Sequence, residues 1–114
     1  MDNLEHSIEI ENRYKAWVNN KIMILSLIIS TDKVRNQDVL LRNEFFLEEL
    51  EHHFMGIDVD KSVWRAFSYL KKYLKKFPHS SLRQRHIAIE MLALIYQELG
   101  FDCRNIKSNE TLKV

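Results

Sequence analysis

The residues that could do chemistry fall into three groups: histidines beside a carboxylate, a lone cysteine, and a run of cations with aromatic neighbours. Glu49 stands three residues before His52 and four before His53, so one helix face could offer a carboxylate and an imidazole to a metal. Adjacent helical residues point about 100° apart, so the two histidines cannot face one ion. A carboxylate–histidine centre in a helical bundle also needs a matching Glu-x-x-His on another helix, and the sequence has no second one. We expect surface histidines, no metal and no cofactor. His79 and His86 belong to a later connection. Cys103 has Arg104 beside it, which favours a thiolate, but no orienting base is identifiable. Two glycines cannot make a phosphate-cradling loop of the usual kind. No catalytic set emerges, and we expect a non-enzymatic protein.

Charge is the stronger signal. From Glu44 to Asp60 the chain has acids and no Lys or Arg; from Lys61 to His86 it has Lys and Arg and no acid. Within the first block, Glu44, Glu48 and Glu51 fall at i, i+4, i+7 and form one acidic stripe, with Glu49 at its edge. Within the second, Arg65, Lys72 and Lys76 share one flank of a helix and Lys71 and Lys75 another, with Tyr69 and Tyr73 interleaved. Arg83 and Arg85 follow at the start of the next helix. Such a basic face could grip phosphates and stack on bases, or receive an acidic protein. The acidic stripe could plug a basic cleft. The intramolecular alternative is that the acidic helix lies against the basic one, each exposed pair contributing ~0–1 kcal/mol.

These faces need helices to position them. With two glycines and one proline, the 114-residue chain has too few breakers for a turn-rich β-fold, and long helices are the natural reading. The first is expected over about 3–30. Ile10, Tyr14, Trp17, Val18, Ile22, Leu25 and Ile29 share one face, and the second half is apolar nearly all round, which suits a central helix or a subunit contact. A connection follows at Ser30–Gln37, with Asp38 as an N-cap. The second helix spans 38–54, with Leu40, Leu47 and Phe54 on one ridge and Val39, Phe46 and Leu50 beside it; Gly56 ends it. The third spans 60–77, capped by Asp58 or Asp60 and stopped by Pro78, with Val63, Phe67, Leu70, Leu74 and Phe77 buried and Trp64 flanking them. The fourth spans 81–99. Ser81 and Gln84 have capping-box spacing and Gly100 the C′ position. Phe101 and Ile106 are expected to dock on the core.

The expected fold is all-α: a single-domain four-helix bundle over 1–107, with short connections, antiparallel neighbours and a flexible tail over 108–114. A bundle of this size can leave an apolar stripe for a second copy, and a homodimer is as good a reading as a monomer. One cysteine permits no intrachain disulfide, the N-terminal stretch is acidic and polar, and the run Ile22–Ile29 is far shorter than the ~20 residues of a membrane span. We therefore expect a cytoplasmic protein without membrane contact. Formal net charge is +1, so no global field marks a nucleic-acid binder. The expected function is that of a small regulatory or adaptor protein that binds another protein, of the anti-activator, inhibitor or immunity type. The alternative is a nucleic-acid-binding transcriptional regulator that uses the basic third helix and the start of the fourth.

Overall fold

Four helices form where the apolar spacing places them: α1 (Asp2–Thr31), α2 (Gln37–Phe54), α3 (Lys61–Lys76) and α4 (Leu82–Glu98). The computed structural model of the chain describes residues 2–31, 37–77 and 79–106. Most of the connection expected at Ser30–Gln37, the helix-stopping Pro78, and the expected tail over 108–114 lie outside the described residues.

The caps explain the boundaries. Asp60, not Asp58, is the N-cap of α3; its carboxylate accepts the Ser62 amide at 2.8 Å. Phe77 closes α3 in extended backbone, where a residue preceding proline is driven. At α4 the capping box is complete: Ser81 Oγ accepts the Gln84 amide at 3.1 Å, and the Gln84 side chain accepts the Ser81 amide at 2.9 Å. The C-terminus of α4 is a Schellman turn. The Gly100 amide donates to Gln97 and the Phe101 amide to Tyr96, with Gly100 at φ +94°. The accompanying apolar contact is the Phe101 ring stacked on Tyr96, centroids 4.8 Å apart. Gly56 ends α2 at φ +83°. Asp38 is not an N-cap, because α2 begins one residue earlier; it lies in the first turn, where its charge still favours the helix dipole.

The helices run up-down-up-down. Tyr14 meets His53 and Trp17 meets Phe46, so α2 descends along α1. Phe54 meets Phe67 while Lys75 reaches Glu44, so α3 ascends along α2. Tyr69 Oη donates to the Gln84 carbonyl at 3.3 Å, at the turn into α4. Tyr96 Oη donates to Asn19 Oδ1 at 2.5 Å and ties α4 back to α1. One core results. Val18, Ile22, Leu25 and Ile29 of α1 meet Leu40, Leu47, Leu50 and Phe54 of α2, Val63, Phe67, Leu70 and Leu74 of α3, and Ala88, Ile89, Leu92, Ile95 and Tyr96 of α4. Phe77 and Ile106 are buried with them, and Phe101 packs at the margin, so the chain docks on the core beyond α4 as expected.

Two features of the arrangement bear on function. The first is length, as expected: α1 has 30 residues against 16–18 for its partners, so its N-terminal part extends past them, and the long dimension of the molecule is 52 Å. The second, a departure from expectation, is closure. α3 packs closely on α4, α4 on α1, and α2 on α3, while α1 and α2 meet along an open seam. Trp17, expected on the buried face of α1, sits at that seam and is exposed, because its side chain spans the gap to Phe46 instead of entering the core. No described helix is long and apolar enough to cross a membrane.

Candidate functional site

The charge blocks meet each other first. Lys71 Nζ lies 3.0 Å from Glu51 Oε1, and Lys75 Nζ lies 3.5 Å from Glu44 Oε1. The flank of α3 carrying Lys71 and Lys75 therefore faces α2, and two acids of the expected stripe are turned toward it. Glu48, the third, stays outward and exposed.

The other basic flank faces the start of α4. Lys72 and Lys76 line a hollow of about 120 Å³ with Tyr69, Tyr73, Ser80 and Gln84. Tyr73 Oη and Ser80 Oγ share a hydrogen bond at 3.0 Å across its floor. Partial burial, and secondarily Tyr73, raises the Tyr69 phenol above its ordinary range, so it stays a neutral donor to Gln84. Arg83 is exposed at the same end. Arg65 is exposed farther down α3, near the Asp60 cap, and Arg85 is half-buried. The expected basic surface is thus divided: Lys72, Lys76 and Arg83 are gathered at one end, and Lys71, Lys75 and Arg65 are directed elsewhere.

A third surface was not singled out from the sequence. Trp17, Ile24 and Leu27 of α1 and Leu41 and Phe45 of α2 are 40–56% exposed, and these five account for most of the large apolar side chains that stand so far out. On α1 they fall at i, i+7, i+10, and on α2 at i, i+4, so each set lies along one outward stripe. Between the stripes the open seam holds a hollow of about 170 Å³. Ile24, Val39 and Phe46 line it, Lys21 and Arg42 stand on opposite banks, and Asn43 donates to the Val39 carbonyl at 2.7 Å beneath it. Glu48 and Glu49 lie on α2 one turn beyond Phe45. The sequence signal was present: Leu41 and Phe45 are apolar yet fall outside the Leu40–Leu47–Phe54 ridge.

A third hollow, a cleft of about 230 Å³, opens where the overhang of α1 passes the ends of α2 and α4. Val18, Phe54, Ile57, Leu99 and Phe101 line its apolar part, with Glu11, Lys15, His53 and Glu98 at the rim. Tyr14 stacks on His53 with ring centroids 5.1 Å apart. Burial, and then the charge of Glu49, raises the Tyr14 phenol. His53 is thereby engaged with aromatic rings, and His52 and His53 are both exposed. Among the described residues no group of three or more His, Cys, Asp or Glu could hold a metal ion. Arg104 is held by Asp102 through contacts as short as 2.6 Å, which depress the Asp102 carboxyl; Cys103 beside it is half-buried.

Comparison with known proteins gives no match to a family model, a curated protein or a solved structure.

Proposed function

We propose that the chain is a small non-enzymatic binding protein that acts on another protein, as an adaptor, anti-activator or inhibitor of the immunity type, through the α1–α2 face. The observation that carries this reading is the cluster of five large apolar side chains left outward on two adjacent helices. Scattered exposed apolar residues are ordinary; a contiguous set rimmed by charge marks an interaction surface. The acidic and basic blocks contribute less than their sequence suggests, since Glu44 and Glu51 are already engaged by Lys75 and Lys71. Glu48, beside Phe45, belongs to the same face. Cys103, the only cysteine of the sequence, fits a reducing, cytoplasmic setting.

Affinity capture from the native cell, with Phe45→Glu and Leu41→Glu beside the unaltered chain, tests it. A partner recovered by the unaltered chain and lost by both variants supports the face. A partner retained by both but lost on Lys72→Glu with Lys76→Glu overturns it.

That second outcome would favour the other reading, a nucleic-acid-binding regulator. One observation speaks for it: Lys72 and Lys76 have no carboxylate partner among the described residues and share their hollow with two tyrosines.

A further inference from the structure

We propose that the α1–α2 face binds a second copy of this chain, with α2 crossing its counterpart antiparallel about Phe45. This rests on the reading of that face as a protein-binding surface, and names the partner.

The argument is charge order. Along the face, cations stand on one side of Phe45 and acids on the other, with the exposed Leu41, Ile24 and Leu27 beside and beyond the cations. Lys21 and Arg42 bank the seam hollow on one side of Phe45, and Glu48 and Glu49 follow on the other. Neither cation has an ion-pair partner among the described residues, and neither do the two acids. A partner bearing only acids or only bases would satisfy one end and oppose the other. A two-fold axis satisfies both, because it lays the cationic end of one copy over the anionic end of the other.

Helical geometry gives the register. Arg42 lies three residues before Phe45 and Glu49 four residues after it, both on the side of α2 that faces α1. A two-fold at Phe45 therefore sets Arg42 of each copy opposite Glu49 of the other. The Glu49 carboxylate of the second copy enters the seam hollow between Lys21 and Arg42. Leu41 meets the stem of Glu48 on the other side, and the Phe45 rings meet at the axis. Both signs being present at fixed offsets distinguishes this face from the basic hollow on α3 and α4, which carries cations alone.

Sedimentation velocity over a dilution series tests the proposal. The unaltered chain is expected as a dimer that dissociates on dilution. Phe45→Glu is expected to be monomeric with unchanged helical circular dichroism, since Phe45 is 56% exposed and outside the core. Arg42→Glu and Glu49→Arg should each weaken the dimer about tenfold or more by setting like charges together. The double variant, which restores opposite charges in reversed order, should recover most of that loss. A monomer at every concentration overturns the second-copy proposal, as does a double variant no tighter than the sum of its singles predicts. A monomer whose Phe45→Glu variant still loses a cellular partner leaves the face as a binding surface for a different protein. If Phe45→Glu changes neither assembly nor capture, both readings fall.

Discussion

Lys71 and Glu51 lie 3.0 Å apart across the α2–α3 interface, with side chains only 26% and 22% exposed. Their contact brings the acidic and basic blocks of the sequence together within one chain, on the side of α3 that faces α2. Partial burial limits screening, while a second pair, Lys75 with Glu44, has its lysine 68% exposed. A double-mutant cycle on Lys71 and Glu51, measured by urea unfolding, should therefore give a coupling of about 0.5–1 kcal/mol that persists at high salt. The same cycle on Lys75 and Glu44 should give less, and lose it as salt is added. Equal couplings with equal salt dependence would mean that partial burial makes no difference here.

Asp60 provides a pH test. The Ser62 amide and hydroxyl, bonded to its carboxylate, hold its pKa below the ordinary 3.8. The folded value is thus depressed, and the stabilisation is present above the unfolded pKa and lost as pH falls through the folded one. The stability difference between the unaltered chain and Asp60→Ala should be constant near neutrality and shrink below about pH 4. Carboxyl chemical shifts should give Asp60 a midpoint below 3.8. A midpoint at or above it would mean the cap is not formed in solution.

Gly100 isolates a backbone effect. A Cβ at this position would meet nothing within 4 Å, yet φ is +94°. Replacement by alanine therefore costs conformational strain and no clash, about 1–2 kcal/mol, or roughly 5–10 °C in Tm for a domain of this size. Tyr96→Ala at the other half of the Schellman contact removes a fully buried ring and should cost more, about 3–5 kcal/mol. If thermal unfolding finds Gly100→Ala neutral, α4 does not end in the turn described.

How much of this could be read in advance depends on the range of the interaction. Asp60, Ser81 with Gln84, Gly56 and Gly100 act within four residues, so the ends of α3 and α4 were legible to within a residue, the expected termini being the caps themselves. The division of α3 into a Lys71/Lys75 flank and a Lys72/Lys76 flank is helical arithmetic and was legible too. What each flank faces depends on neighbours brought in from elsewhere in the chain, and the sequence left that open between Glu51 and an external partner. The exposed face was hardest to see. Helical spacing places Leu41 and Phe45 off the Leu40–Leu47–Phe54 ridge, but that they join Trp17, Ile24 and Leu27 in one exposed face depends on how α1 and α2 meet. Trp17 shows the same dependence: its 3.6-residue spacing fits the buried stripe, but the seam between α1 and α2 is wide enough to hold its ring at the edge.

The basic hollow yields the last test, which bears on the nucleic-acid reading. Phosphate neutralisation releases counterions, so affinity falls with salt at a slope of about −0.9 per phosphate on duplex DNA and about −0.7 on a single strand. Lys72, Lys76 and Arg83 are the cations that the fold gathers at one end, with Tyr69 and Tyr73 beside them for stacking. If they bind nucleic acid, Lys72→Ala with Lys76→Ala should reduce the salt slope by about 2 and weaken all sequences alike, because phosphate contacts carry no base information. Lys71→Ala with Lys75→Ala should change the slope little, since those ammonium groups already face Glu51 and Glu44. Fluorescence anisotropy with a labelled single strand and a labelled duplex, over a salt series, measures both. Equal effects from the two pairs would show a diffuse electrostatic attraction with no site at the hollow. Absence of binding by the unaltered chain at low salt would exclude the nucleic-acid reading and leave Lys72 and Lys76 as a solvated helix face whose stems cover apolar surface.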